Sequence, residues 1–143
     1  MLPLVEEINI YRQNALHLGL TLELRQADML SIQINELFDL VVSNPPYIPA
    51  SERERMISLV TEHEPHDALF VPDDDPLIFY KALGRLALDG LVPGGWLYLE
   101  CHEDRTRQVV DLMSQMGLAR VELRQDLQDK DRMVRAQKPW SSK

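Results

Sequence analysis

Apolar positions near the start of the chain fall at helical spacing. Val5, Ile8, Tyr11, Ala15 and Leu18 recur three or four residues apart, and Gly19 follows as a stop. Leu22–Ala27 then alternates apolar and polar, which predicts a strand with Asp28 at its end. Residues 37–42 are nearly continuous in apolar character and rich in valine and leucine, which predicts a buried strand halted by prolines. Ser51-Glu52-Arg53-Glu54 is a capping box that opens a short helix with Met56, Ile57, Leu59 and Val60 on its apolar side. A long loop from His63 to Asp75 ends in Asp75-Pro76, read as the N-cap and first residue of the next helix. That helix carries Leu77, Tyr80, Leu83, Leu86 and Ala87 and ends at Gly90. Pro93-Gly94-Gly95 predicts a tight turn into a strand at 96–100. Val109, Leu112, Met113 and Met116 mark a further helix closed by Gly117. Two last strands, about 119–124 and 132–137, are joined by a polar turn and predict an antiparallel pair.

Helix and strand therefore alternate and finish in a hairpin. The expected fold is α/β, three layers deep, with a mostly parallel sheet and helices on both faces. In such sheets ligands bind beyond the carboxyl ends of the strands, where Asp28, Asn44 and Glu100 are all expected.

Composition narrows the classes. The 143 residues suit one domain, and 45% apolar content is enough for a core. No run of roughly 18 apolar residues is present, so no membrane span is expected, and no secretory signal is visible. The lone Cys101 excludes an internal disulfide and suits a reducing cytoplasm. A net charge of −8 argues against a broad nucleic-acid-binding surface. Residues 138–143 read as a flexible tail.

The candidate chemistry lies in Asn44-Pro45-Pro46-Tyr47, at the mouth of the 37–42 strand. Neither proline has an N–H and both have fixed φ, so the loop is stiff and offers bare carbonyls. Asn44 precedes a proline and is held extended. Its side-chain oxygen and the Pro45 carbonyl can converge on an NH2 group, each accepting one hydrogen. Tyr47 supplies a flat ring for a planar amide or base. An amide nitrogen is a weak nucleophile, so orienting its lone pair toward a sulfonium methyl matters more than acid or base help. The plain reading of the same residues is a proline-rich stop after a strand; the strand before it favours the functional one.

Other residues carry less. Asp28 could accept a hydrogen bond from the exocyclic amine of a bound nucleoside, but an acid at a turn is the commoner reason for it. His63-Glu64-Pro65-His66-Asp67 lacks the helical spacing of a metal site and reads as a positioning loop. Asp73-Asp74-Asp75 suits a helix N-terminus better than a cation. Cys101 reads as a packing residue rather than a nucleophile, and His17 as a cation late in a helix.

Several blocks, in order, resemble the HemK/PrmC-type glutamine N5-methyltransferases of peptide chain release factors. They are Arg12-Gln13-Asn14-Ala15, Gln26-Ala27-Asp28, Phe38 through Pro49, Glu64-Pro65-His66-Asp67-Ala68-Leu69, Phe79-Tyr80, Leu91-Val92-Pro93-Gly94-Gly95, Leu99-Glu100 and Asp131-Arg132-Met133-Val134-Arg135-Ala136. The likeness runs from about residue 8 to residue 137. Asn-Pro-Pro-Tyr alone is shared with adenine-N6 methyltransferases; the whole series is more specific. The resemblance implies a Rossmann-like class I methyltransferase fold, with residues 1–137 a partial catalytic domain. It implies S-adenosylmethionine as cofactor and the glutamine of a Gly-Gly-Gln loop in release factors as substrate. Asn44 and Pro45 would grip the glutamine amide, with Pro46 stiffening the loop and Tyr47 packing on it. Asp28 and Met29 would border the adenine, and Asn44 would also lie near the methionine part of the donor.

The departures from that family are specific. Its helical substrate-engaging domain, its first strands, its glycine-rich loop and its ribose-binding acid have no counterpart here, so the fold is expected to be truncated at its N-terminus. By register the ribose acid falls near Leu2. Two family strands would lie between 22–27 and 37–42, and at about 4.8 Å per strand their loss leaves a gap of roughly 14 Å. Three outcomes are open: a fragment of a longer product, a shifted strand 22–27 pairing directly with 37–42, or self-association or another chain filling the gap. After Glu100 the family has an apolar residue, a glycine and soon a glutamine, where this chain has Cys101, His102 and Arg105. Two further functions stay open beside release-factor methylation: an N6-adenine methyltransferase, disfavoured by the acidic charge, and a catalytically inactive binding or assembly module.

Overall fold

A computed structural model describes residues 4–51 and 70–140. Helix α1 spans Leu4–His17. It ends as its glycine predicts: Gly19 adopts φ +66, the Leu20 N–H donates to the Ala15 carbonyl at 2.8 Å, and the Gly19 N–H to that of Leu16 at 3.1 Å. Strands β1 (Phe38–Ser43), β2 (Ile48–Pro49) and β3 (Phe70–Val71) follow, then helix α2 (Ile78–Gly90) and the long strand β4 (Leu91–Glu100). Helix α3 (Thr106–Gln115) and the strands β5 (Ala119–Gln125) and β6 (Asp131–Gln137) complete the described elements. The predicted capping-box helix and the His63–Asp67 loop lie outside the described residues.

Four strands form one sheet in the order β1-β4-β6-β5, and β2 pairs with β3 in parallel. β1 and β4 are parallel, whereas β4–β6 and β5–β6 are antiparallel. The closing hairpin is therefore as expected, but the sheet is mixed rather than mostly parallel. The predicted strand 22–27 is not formed. A strand without a neighbour leaves its peptide groups without a ladder. Arg25 instead binds Glu36 at 2.6 Å, tying this irregular segment to the residues just before β1.

The core lies on one face of the sheet. Leu97 and Leu99 of β4 and Val134 and Ala136 of β6 pack against Tyr80, Leu83 and Ala87 of α2 and Val109 and Met113 of α3. Gly84 brings the two helices together: a β-carbon there would fall 2.6 Å from the Met116 sulfur. α3 ends at Gly117 with φ +94, and the Leu118 N–H reaches back to the Met113 carbonyl at 3.1 Å, turning Leu118 into the core.

On the opposite face Leu40 and Val42 stay 53% and 70% exposed, with Tyr98 and Met133 beside them. The expected second helical layer is absent from this face among the described residues, and β1 is not the buried strand its composition predicts. Only Val41 packs onto the core from it, because one face is covered and one edge is paired.

Three local details depart from expectation. Asp75 does not cap α2, since its carboxylate is held by Lys81 Nζ at 2.8 and 2.9 Å and the helix begins at Ile78. Pro93-Gly94-Gly95 is a bulge inside β4 rather than a turn before it, because Gly94 at φ +83 donates its N–H to the Lys138 carbonyl at 2.9 Å. Lys138, read as tail, also donates from its ammonium to the Leu91 carbonyl at 2.6 Å, and the Trp140 ring lies where any side chain at Gly94 would be.

Asp126 organises the β5–β6 turn. Its carboxylate accepts the N–H groups of Gln128 at 2.8 Å and Lys130 at 3.1 Å and faces Arg132. These bonds, the backbone ones first, hold its pKa below the ordinary carboxylate value. A depressed folded pKa gives stability that is present above the unfolded value and lost as pH falls through the folded one. Acid titration is therefore expected to loosen this hairpin below the normal aspartate range, and Asp126→Asn to remove that pH dependence. Amide exchange at Gln128 and Lys130 measures it.

Candidate functional site at the carboxyl edge of the sheet

Because β1 and β4 run parallel with Ser43 opposite Leu99, their carboxyl ends meet and place Asn44 next to Glu100. Both residues border a cavity of about 410 Å³ on the open face, with Leu40, Val42, Tyr98 and Met133 as its apolar wall. Asn44 is exposed toward it and Pro45 is buried. Proline suits that burial, having no N–H to leave without a partner. The Tyr80 hydroxyl donates to the Glu100 carbonyl at 3.1 Å and fastens the end of β4 from the core side.

Tyr47 faces elsewhere. Its ring stands 5.8 Å from that of His102, tilted by 53°, and the two line a second hollow of about 290 Å³ with Arg105 and Gln108. The loop residues expected to act together thus open onto two neighbouring hollows, Asn44 on one and Tyr47 on the other. His102 and Arg105 were visible in the sequence only as departures from the family pattern.

Asp28 follows irregular chain rather than a strand, and its carboxylate accepts the Leu30 N–H at 2.9 Å and the Ser31 hydroxyl at 3.1 Å. This is the turn acid that the sequence offered as its simpler reading. Met29 packs against the core, and neither residue lines the Asn44 cavity.

Cys101 is fully buried, and burial pushes its thiol up to about 12. A thiol held that high and shielded from solvent is a poor nucleophile near neutral pH. Iodoacetamide is expected to leave Cys101 unmodified in the folded chain and to label it once denaturant is added, as mass spectrometry will show. Thr106, also fully buried, places its hydroxyl 2.9 Å from the His102 carbonyl and 2.8 Å from that of Asp131, locking the 101–105 loop to β6. No cluster of metal-binding side chains occurs among the described residues, and none of their helices is long and apolar enough to cross a membrane.

No protein-family model matches the chain. Individual proteins do. The release factor glutamine methyltransferase of Cereibacter sphaeroides is 43% identical over 129 residues, which cover 89% of this chain and 46% of that protein. That of Bacteroides thetaiotaomicron is 35% identical over 134 residues, 92% of this chain and 48% of its own length. That of Flavobacterium psychrophilum is 37% identical over 102 residues, 71% and 36% of the two. The chain spans about half the length, or less, of these curated relatives. Over most of its own length, the chain is similar to these release factor glutamine methyltransferases.

Proposed function

We propose that this chain carries the amide-holding side of an S-adenosylmethionine-dependent, cytoplasmic methyltransferase that modifies the glutamine side-chain nitrogen in the Gly-Gly-Gln motif of peptide chain release factors. The observation that supports this reading best is Asn44 at the rim of an open apolar cavity, beside the parallel strand end at Glu100 and ahead of a buried proline. The Asn44 side-chain oxygen and the Pro45 carbonyl each accept one hydrogen of the glutamine NH2. This fixes the nitrogen and turns its lone pair outward. The apolar wall offers the amide no competing hydrogen-bond partner.

When bound, the donor supplies an electrophilic methyl group. A donor of this kind presents a ribose diol that calls for a free carboxylate, and a charged end that suits a glycine turn. Among the described residues, Asp28 uses both carboxylate oxygens within its own turn. Gly19 and Gly117 end helices, Gly94 and Gly95 form the β4 bulge, and Gly84 and Gly90 sit against Met116 and Ile34. These residues do not by themselves hold the donor. That observation favours a second reading, a binding module without catalysis.

The test is to incubate the full chain with methyl-labelled S-adenosylmethionine and a release factor, alongside a calorimetric titration of the donor alone. Label on the Gly-Gly-Gln glutamine is the result expected of the methyltransferase reading. A folded chain that transfers no label and gives no heat with the donor supports the binding module instead.

A further inference from the structure

The Tyr47 hollow is separate from the Asn44 cavity, yet it opens from the same loop. We propose that it is a docking site for a carboxylate: an aspartate or glutamate side chain of the protein substrate, close to the glutamine held at Asn44. The proposal rests on the reading above for the identity of the substrate, and on this chain's own side chains for the site.

Arg105 is half-buried in the hollow and pairs with no carboxylate among the described residues. Arg25, Arg107, Arg132 and Arg135 each face an acid, whereas Arg105 instead lines the hollow beside Tyr47 and His102. A planar guanidinium with its donors unengaged matches a carboxylate with two parallel hydrogen bonds. His102 adds a second donor. Its Nδ1 is engaged by Asp104, whose N–H lies 3.3 Å and whose carboxylate lies 3.5 Å away, which leaves Nε2 as the nitrogen for a ligand. Gln108 contributes a side-chain amide, and the Tyr47 ring forms an apolar wall.

The acid in the hollow, Asp104, is 83% exposed at its side chain and lies on the Nδ1 side of His102, leaving the guanidinium open. A volume of about 290 Å³ admits one side chain. A net charge of −8 repels a polyanion as a whole, which favours a single carboxylate on a polypeptide over a nucleic-acid backbone. The two adjacent hollows thus divide two tasks, the Asn44 cavity taking the amide and the hollow lined by Tyr47 and His102 its acidic neighbour.

Two peptides test this on the full chain: Gly-Gly-Gln flanked on both sides by glutamate, and the same peptide flanked by glutamine. N-acetylglutamate serves as a third probe. Binding is followed by nuclear magnetic resonance at the Arg105 Nε–H and the His102 ring. The acidic peptide is expected to bind about tenfold more tightly than the neutral one, the size of one charge-assisted contact. Arg105→Gln is expected to erase that difference and leave the neutral peptide's affinity unchanged. Equal affinities in the unaltered chain, or a preference that survives in Arg105→Gln, overturn the proposal while leaving the amide site untouched. If neither peptide binds but N-acetylglutamate shifts the Arg105 signal, and the His102 ring signal in the unaltered chain but not in Arg105→Gln, the carboxylate site stands and the glutamine reading fails. Silence from all three probes overturns the site.

Discussion

Leu97→Ala is expected to lower the unfolding free energy by about 2–5 kcal/mol, the range for emptying a well-packed core position. Leu97 is the centre of the molecule. It sits in β4 opposite both Val41 of β1 and Ala136 of β6, with no exposed surface, and it belongs to the cluster that faces α2 and α3. Its neighbours are anchored in three directions: by the sheet ladders, by the Tyr80–Glu100 bond and by the Thr106 clasp. They cannot collapse far into the void, so the upper part of the range applies. A domain of this size has a net stability of about 5–15 kcal/mol, and much of that rests on one covered sheet face. Urea denaturation followed by circular dichroism measures the change. A loss under about 1 kcal/mol would show that the cluster is looser than its burial implies.

Asn44→Ala carries the largest expected effect on activity. On the proposed reading, removing one of the two acceptors frees the amide to rotate, and the loss of a single oriented hydrogen-bonding group costs about 100- to 1,000-fold in rate. Asn44 is exposed and outside the core cluster, so its thermal midpoint should stay where it is. The measurement is initial rate of label transfer to a release factor, read beside a melting curve. Unchanged transfer would remove the carboxamide from the reaction. Unchanged rate with weaker peptide affinity would make it a binding group only.

Much of the fold was legible because it rests on local signals. The glycine stops at Gly19 and Gly117, the helical stripe Val109, Leu112, Met113 and Met116, and the turn between β5 and β6 depend on residues within a few positions of each other. What escaped was governed by partners distant in sequence. The alternation of Leu22–Ala27 names a strand, but only a neighbouring edge can make one, and none among the described residues reaches it. The valines and leucines of β1 name a buried strand, but burial depends on how many layers cover it. The Gly94 bulge needed Lys138 and Trp140, more than forty residues later, to become visible. The same division holds at the candidate site. The stiffness of Asn44-Pro45-Pro46-Tyr47 follows from its own residues, whereas the swing of Tyr47 toward His102 depends on where β4 delivers the next loop.

Among the described residues no strand pairs with the outer margin of β1, and this bears on how the molecule behaves in bulk. A row of peptide groups beside uncovered leucine and valine invites sideways growth, copy upon copy. What keeps copies apart is their common surplus of negative charge. Added salt shields that repulsion within about 8 Å at physiological strength. Light scattering should therefore climb as sodium chloride rises, a reversal of the usual salting-in, and a lysine placed at Val42 should flatten the climb.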